Sequence, residues 1–462
     1  MSVIAYAALL LWPLVALYLY SRLPIGQATL WTILGGFLLL PSQVDIKFQM
    51  VPAFDKVSIP NLAAFLGCAF CSRKFPKILW GFGLPELLFL IIVIVPFITS
   101  LLNTDTIRIG HTVLPGVGAY DAGSASRDAF IFMLPFFLGR QFSRSADDNM
   151  YVLRALVMSG LVYSLAVLFE YRMGPQLAPL IYGYNRGGIN EAGEVRPVVF
   201  GDNPLMMAFF FVPVVIAAGA LWRLRSHIAR LPPSGITAYL SVILLMFKSF
   251  GYMVYGVVLI PIVRWASPRL QLRLACVLVT LALSYPLLRV ADLIPTDSIV
   301  NDVAVLSTSR ADSLKTRFDN EEQLLDRAWE RPWFGWGRYG RNRIYKGWNG
   351  ADSTLSDGHW VLQMGSFGLV GFVSEFGLLA LCVFRAAMAL RFTTTMKESV
   401  CLAALALIVA LNTFDLLPNG WLMPWTWLLA GTLLGRAEAL SAASRQPARS
   451  QEKLVPAIRS LS

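Results

Sequence analysis

The sequence predicts an all-α polytopic membrane protein, and three observations carry that prediction. Hydrophobic residues make up 56% of the 462 and charged residues only 15%, whereas an average soluble domain carries about 25% charged residues. The mean hydropathy is +0.60. The apolar residues are also gathered into runs long enough to cross about 30 Å of hydrocarbon. A water-soluble fold of this size has no interior large enough for so much apolar surface. Disorder, coiled coil, collagen and a disulfide-stapled secreted domain are excluded by the same numbers.

Taken in order, the long runs lie near 3–20, 25–42, 81–102, 127–143, 151–170, 204–222, 272–290, 362–384, 397–412 and 419–435. Shorter ones lie at 60–72, 235–248 and 250–264, the last two reading as a tight hairpin through Lys248-Ser249. The expectation is about thirteen transmembrane helices, within a range of about eleven to fourteen. The first run has no basic segment before it and reads as a span, not as a cleavable signal.

Lys and Arg collect in cytoplasmic loops. Arg73-Lys74…Lys77, Arg140…Arg144, Arg223…Arg230, Arg264…Arg273, Arg385…Lys397 and the tail from Arg436 fall on one side by alternation. That places the N-terminus outside and the C-terminus inside. Loops 43–59, 103–126, 171–203, 291–358 and 413–418 then face out. Four regions follow: an N-terminal bundle over 1–290 with outer loop 171–203, a large partly helical loop over 291–358, C-terminal spans over 359–436, and a basic cytoplasmic tail over 437–462.

The balance of 39 Lys+Arg to 28 Asp+Glu gives +11. In a soluble protein this would suggest nucleic acid; here it reads as topology signal, and no nucleic-acid partner is expected. All five cysteines (68, 71, 276, 382 and 401) lie in apolar stretches. Cys68-Ala-Phe-Cys71 therefore reads as two small core residues, not as a redox or zinc pair. No internal repeat is evident, which argues against an inverted-repeat transporter.

Loops 171–203 and 291–358 are longer than connection alone requires, and both carry arginines on the side where positive charge is normally scarce. Ser309 to Arg331 reads as a helix, with Ser309 as N-cap and Pro332 as stop. At 100° per residue, Leu314, Phe318, Leu324, Leu325 and Ala328 share one arc, opposite Asp312, Lys315, Asp319, Gln323, Asp326 and Glu330. Arg310, Arg317 and Glu321 project from within the apolar arc, the last two at ion-pair spacing. Such groups either pair or bind a charged ligand. Both readings stand, because a guanidinium fork also matches phosphate oxygens.

The segment from Arg331 to Arg343 follows. Gly335 to Gly340 matches G-x-G-x-x-G, but without a βαβ unit it is not a dinucleotide site. Its aromatic faces, Trp333, Trp336 and Tyr339, suit either a sugar ring or an interfacial anchor. Then comes Asp357-Gly-His359-Trp at the mouth of a span. A histidine there can take a proton from a sugar hydroxyl or simply hydrogen-bond a helix end. In the other loop, Arg196-Pro-Val-Val-Phe-Gly-Asp202 enters a span; Arg172 and Arg186 are weaker candidates. Glu170 closes a span, where pairing with one of these arginines is expected.

These motifs, in this order and on this side, resemble the O-antigen ligase/polymerase superfamily of Wzy-like membrane glycosyltransferases. The stretch 309–372 resembles its exopolysaccharide-polymerase branch, and Tyr182-Gly-Tyr with Arg196-Pro-Val-Val-Phe extends the likeness to about half the chain. The resemblance implies a GT-C-like helical bundle in a bacterial inner membrane, with its active site facing the periplasm. It implies an undecaprenyl-diphosphate-linked oligosaccharide as donor, a growing glycan chain as acceptor, and a chain-length regulator and export machinery as partners. By motif position, Arg196 and Arg317 would hold the diphosphate, with Arg310 and Arg338 secondary. His359 would be the base, with Asp357 as alternative because Trp360 stands where ligases carry Asn or Ser. Glu321 and Asp202 would support these groups, and Trp336 and Tyr339 would stack on sugar.

The chemistry fits these residues. Diphosphate is a good leaving group, so the transition state needs its growing charge stabilised and the acceptor hydroxyl deprotonated. Arginines can do the first, and the outer loops lack a carboxylate cluster such as D-x-D; no metal and no cofactor are expected. A ligase that moves finished glycan to another acceptor would share the donor chemistry. A flippase for the lipid-linked sugar would instead place charges near mid-membrane; Asp128, Glu375 and Lys248 are the few charges near spans that would argue for it.

Overall fold

The computed structural model describes residues 2–47, 52–71, 75–78, 81–185, 187–188, 195–228, 230–355 and 357–445. The expectations for Arg73, Lys74, Arg186 and the tail beyond 445 lie outside the described residues, as does the side chain of Ser309. Sixteen α-helices fall within them. Seven are long and apolar enough to cross a membrane.

Every expected span coincides with a helix. In chain order these are α1 (Val3–Arg22), α2 (Ile25–Leu39), α3 (Ser58–Cys71), α4 (Leu84–Leu102), α5 (Ala119–Phe142), α6 (Ala146–Met173), α8 (Pro204–Arg223), α9 (Pro233–Met246), α10 (Phe250–Trp265), α11 (Pro268–Val290), α14 (His359–Ala389), α15 (Met396–Asp415) and α16 (Pro424–Ala443). The short α7 (Leu177–Tyr182) lies in the first long loop, and α12 (Thr296–Leu306) and α13 (Thr308–Trp329) lie in the second. Helices α2, α3, α9 and α10 are shorter than the seven.

The C-terminal helices pack into the same bundle as the N-terminal ones: α16 lies against α5, and α11 against α14 and α15. Helices α8 and α15 run through its centre, almost wholly buried. At one end the bundle is basic and ion-paired. Arg140, buried, holds Glu86 at 2.8 Å and Glu438 at 2.6 Å, and Arg436 holds Glu398 at 3.0 Å. The long loops gather at the opposite end, called here the loop end.

Two small antiparallel hairpins qualify the all-α expectation: β1 (Ile107–Ile109) with β2 (Thr112–Leu114), and β3 (Tyr345–Lys346) with β4 (Ala351–Asp352). They dock on each other, Thr112 donating to the Gly350 carbonyl at 2.7 Å and His111 meeting Trp348 edge-on. Arg341, fully buried, ties the same loops by donating to the Asp105 and Pro115 carbonyls and pairing with the Asp105 carboxylate at 3.0 Å.

The amphipathic reading of α13 holds in outline. Leu324, Leu325 and Ala328 are buried, while Asp312, Lys315, Asp319, Asp326 and Glu330 are exposed. The helix begins at Thr308 with Ser307 in the capping position, so Ser309 lies inside it and is not its cap. Of the cysteine pair, Cys68 is buried beside the Tyr20 hydroxyl, but Cys71 is exposed. Lys248 sits at the turn between α9 and α10, as the hairpin reading expects.

Candidate active site

The largest departure from the expected fold is in α14. Gly368 interrupts it with φ 69 and ψ −171, a conformation essentially restricted to glycine. An unbroken helix would separate residues 359 and 375 by about 24 Å, at 1.5 Å per residue. Here His359 Nε2 lies 3.0 Å from Glu375 Oε1. The two arms, 359–367 and 369–389, therefore fold back towards one another. His359 stands at the start of the shorter arm, where the candidate span His359–Phe392 begins.

The break is held by the glycine-rich loop. Trp336 and Gly337 donate to the Gly365 and Ser366 carbonyls, both at 2.8 Å; Leu369 and Val370 donate to the Pro332 and Trp333 carbonyls at 2.7 and 3.3 Å. Backbone groups freed by the interruption thus find partners in 332–337, as buried backbone requires. A Cβ on Gly368 would collide with the Trp333 carbonyl and the Phe334 amide. The glycines of this loop serve a backbone docking joint. Between the arms, Gly371 removes a Cβ that would strike the Phe367 side chain.

The folded arms line a cavity of about 430 Å³, walled also by α4, α5 and residues 52–58. It reaches Ile92, ten residues or about 15 Å below the loop end of α4. His359, Gln363, Phe367, Gly371 and Glu375 line it at intervals of four, with Arg338 and Asp128 opposite. The His359 amide is fixed by the Asn419 carbonyl at 2.9 Å, and its ring stacks near Phe376. Arg338 pairs with Asp128 at 3.0 Å, which Arg127 also contacts. Asp55, the other carboxylate of the wall, accepts from the Val57 and Ser58 amides. Among the described residues, no three His, Cys, Asp or Glu side chains converge on a metal position.

Not all of the expected site residues meet here. His359 and Arg338 share the cavity; Asp202 lines a second, smaller one. Arg196, Arg310, Arg317, Asp357 and Tyr339 line neither. Among the described residues, two of these arginines nevertheless differ from their neighbours. Arg289, Arg327, Arg331, Arg338, Arg341 and Arg343 each have a carboxylate partner. Arg310 instead lies over the Phe250 ring at 5.0 Å. The Arg196 Nε is buried without a hydrogen-bond partner among the described residues. Arg317 pairs with Asp357, through Nε at 3.4 Å.

Several expected contacts are replaced. Glu321 does not pair with Arg317, because its side of α13 meets α11: it holds Arg289 at 2.8 Å and accepts from the Tyr285 hydroxyl at 3.1 Å. Burial pushes its carboxyl above the ordinary value, with Arg289 opposing. Trp360, fully buried, packs edge-on against Tyr285 in the same region. Among the described residues Glu170 pairs with no arginine; fully buried, it accepts from the Leu177, Val198 and Val199 amides at 3.1, 2.8 and 2.7 Å. That anchors the Arg196 segment in the bundle. Trp336 is 7% exposed, with the Arg327 and Arg331 guanidinium groups 3.4 and 4.0 Å from its ring centroid. It has no open face for a sugar, whereas Tyr339 is 56% exposed at φ 65.

Glu375 is the residue sequence reasoning placed elsewhere, among charges suited to transport. The signal was present in Gly365-x-x-Gly368-x-x-Gly371, three glycines in an apolar run that open the helix and let its arms close. No family model matches the chain, and no curated protein matches it.

Proposed function

We propose that the protein is a membrane glycosyltransferase that polymerises polyprenyl-diphosphate-linked oligosaccharide repeats. The observation that supports this best is the His359–Glu375 pair in a deep cavity at the loop end. A histidine oriented by a carboxylate is the arrangement a general base requires. It lies between Arg317, tied to Asp357 just before it, and Arg338 in the cavity wall.

In this reading the acceptor hydroxyl gives its proton to His359 while its oxygen bonds the anomeric carbon of the donor. The bond from that carbon to phosphate oxygen breaks, and the polyprenyl diphosphate leaves with the electron pair. Arg317 and Arg196 stabilise the leaving charge. Arg310 and Arg338 are secondary, the latter because Asp128 already engages it. Glu375 holds the imidazole and stabilises its protonated form. Asp357 orients Arg317. The basic end of the bundle faces the cytoplasm and the loop end faces the periplasm of a bacterial inner membrane, by the distribution of Lys and Arg.

Ligase-type transfer to another lipid or protein acceptor uses the same donor half-reaction. A transporter is the second reading, and one observation favours it: Asp128 and Glu375 both line the cavity. The test is purified protein with a native undecaprenyl-diphosphate-linked repeat and EDTA, its products resolved by glycan size. A ladder supports the polymerase; product only on an added acceptor means a ligase; intact donor in both means neither.

A further inference from the structure

At the basic end of the bundle, away from the candidate active site, the C-terminal ends of α14 and α16 line a cavity of about 370 Å³. Arg385, Met388, Arg391 and Phe392 come from α14 and the turn after it, and Arg445 comes from the end of α16. Among the described residues no carboxylate lines this space.

Three arginines on one cavity without a counter-charge are unusual in this protein. Elsewhere at the same end, protein groups satisfy the guanidinium donors. Arg140 holds Glu86 and Glu438, Arg436 holds Glu398, and Arg223 donates to the Val263 and Ala266 carbonyls. Among the described residues, no hydrogen bond or ion pair engages the side chains of Arg385, Arg391 or Arg445; Arg391 lies over the Phe392 ring at 4.6 Å. All three are exposed, so an incoming ligand can reach them. Arginine near a helix C-terminus complements the macrodipole, but that interaction leaves the guanidinium donors unused.

The lining selects the ligand. Guanidinium forks match phosphate oxygens and stay charged, so an anion is favoured over a neutral or cationic group. Beside them lie Phe392 and Met388, the latter 53% exposed. Such apolar surface suits acyl chains and gains nothing from a free ion. Depth agrees: Arg385 precedes the end of the candidate span His359–Phe392 by seven residues, about 10 Å along a helix. From there a long basic side chain reaches back to headgroup level. The distribution of Lys and Arg assigns this end to the cytoplasm, the side on which basic pockets between helices bind anionic headgroups.

We propose that this cavity binds the phosphodiester headgroup of an anionic phospholipid. The lipid then bridges the ends of α14, which carries the His359–Glu375 pair, and α16. The site requires a membrane-embedded chain but not the transferase reading. The test is native mass spectrometry of the purified full chain offered phosphatidylglycerol, phosphatidylcholine or inorganic phosphate. Phosphatidylglycerol is retained in preference to phosphatidylcholine, and excess phosphate does not displace it. Arg385→Gln and Arg391→Gln, each eluting as folded protein, weaken retention about five-fold, the weight of one basic residue at an anionic surface. Arg269→Gln, at an exposed position of α11 outside the cavity, leaves retention unchanged. Equal retention of the two lipids, or an equal loss in Arg269→Gln, overturns the site and marks the three arginines as topology signal alone. Displacement by phosphate overturns the lipid assignment in favour of a free anion.

Discussion

Replacing Gly368 by alanine tests the folded-back arm on which the site depends. The residue has φ 69 and ψ −171, and a side chain there costs about 1–3 kcal/mol in backbone strain alone. The added Cβ also lands on the Trp333 carbonyl and the Phe334 amide, backbone atoms that no rotamer change can move away. Relief requires the glycine-rich loop to leave. That forfeits the hydrogen bonds of Trp336, Gly337, Leu369 and Val370, at about 1 kcal/mol each. The summed penalty of about 5–7 kcal/mol is comparable with the net stability of a typical domain, so α14 opens. As it straightens, positions 359 and 375 separate towards about 24 Å. The assay introduces His359→Cys and Glu375→Cys after the five native cysteines are replaced, and treats the protein with dibromobimane, which fluoresces only when it links two nearby thiols. With Gly368 present the linkage forms; with Gly368→Ala added it falls to background. Equal fluorescence in both proteins, with unchanged thermal stability, would refute the reasoning.

Three further outcomes follow from the same geometry. Glu375→Gln lowers the initial transfer rate by about 10- to 100-fold, matching the 1.5–3 kcal/mol of a charged hydrogen bond, while the thermal unfolding midpoint moves little. Arg317→Lys, which keeps the charge and loses the fork, damages activity far more than Lys315→Ala on the exposed side of α13; equal effects in steady-state kinetics count against a diphosphate role. Asp105 is partly desolvated, which raises its carboxyl, but its own amide, Arg331 and Arg341 more than offset this and hold it below its ordinary 3.8. A lowered carboxylate contributes stability above the unfolded value and loses it as pH falls through the folded one. Unfolding followed between pH 5 and 3 therefore shows a steeper acid loss in the native protein than in Asp105→Asn.

The helices were legible because each span is a long local run of apolar residues, and hydropathy needs no knowledge of neighbours. The face of α13 was legible for the same reason: Leu324, Leu325 and Ala328 recur at helical spacing. What escaped depends on tertiary contact. Glu321 and Arg317 sit at ion-pair spacing, yet Arg289 on α11 claims the glutamate from another helix. Glu170 sits near arginines in sequence, but three backbone amides of its loop satisfy it. Glu375 is sixteen residues from His359, and only a conformation that Gly368 permits brings them together. His359 and Arg338 were read from type and position and do line one cavity. Arg196 and Arg317 were chosen on the same grounds, but neither lines that cavity, and Arg317 pairs with Asp357.

The most direct measurement is the rate of polyprenyl diphosphate release from a lipid-linked repeat, with EDTA present, by the native protein and by His359→Ala and Glu375→Gln. The account predicts release coupled to glycan transfer in the native protein, loss of about 100-fold or more without the histidine, and a smaller loss without the carboxylate. Release that proceeds undiminished in His359→Ala, or donor that stays intact with every acceptor offered to the folded native protein, would contradict it.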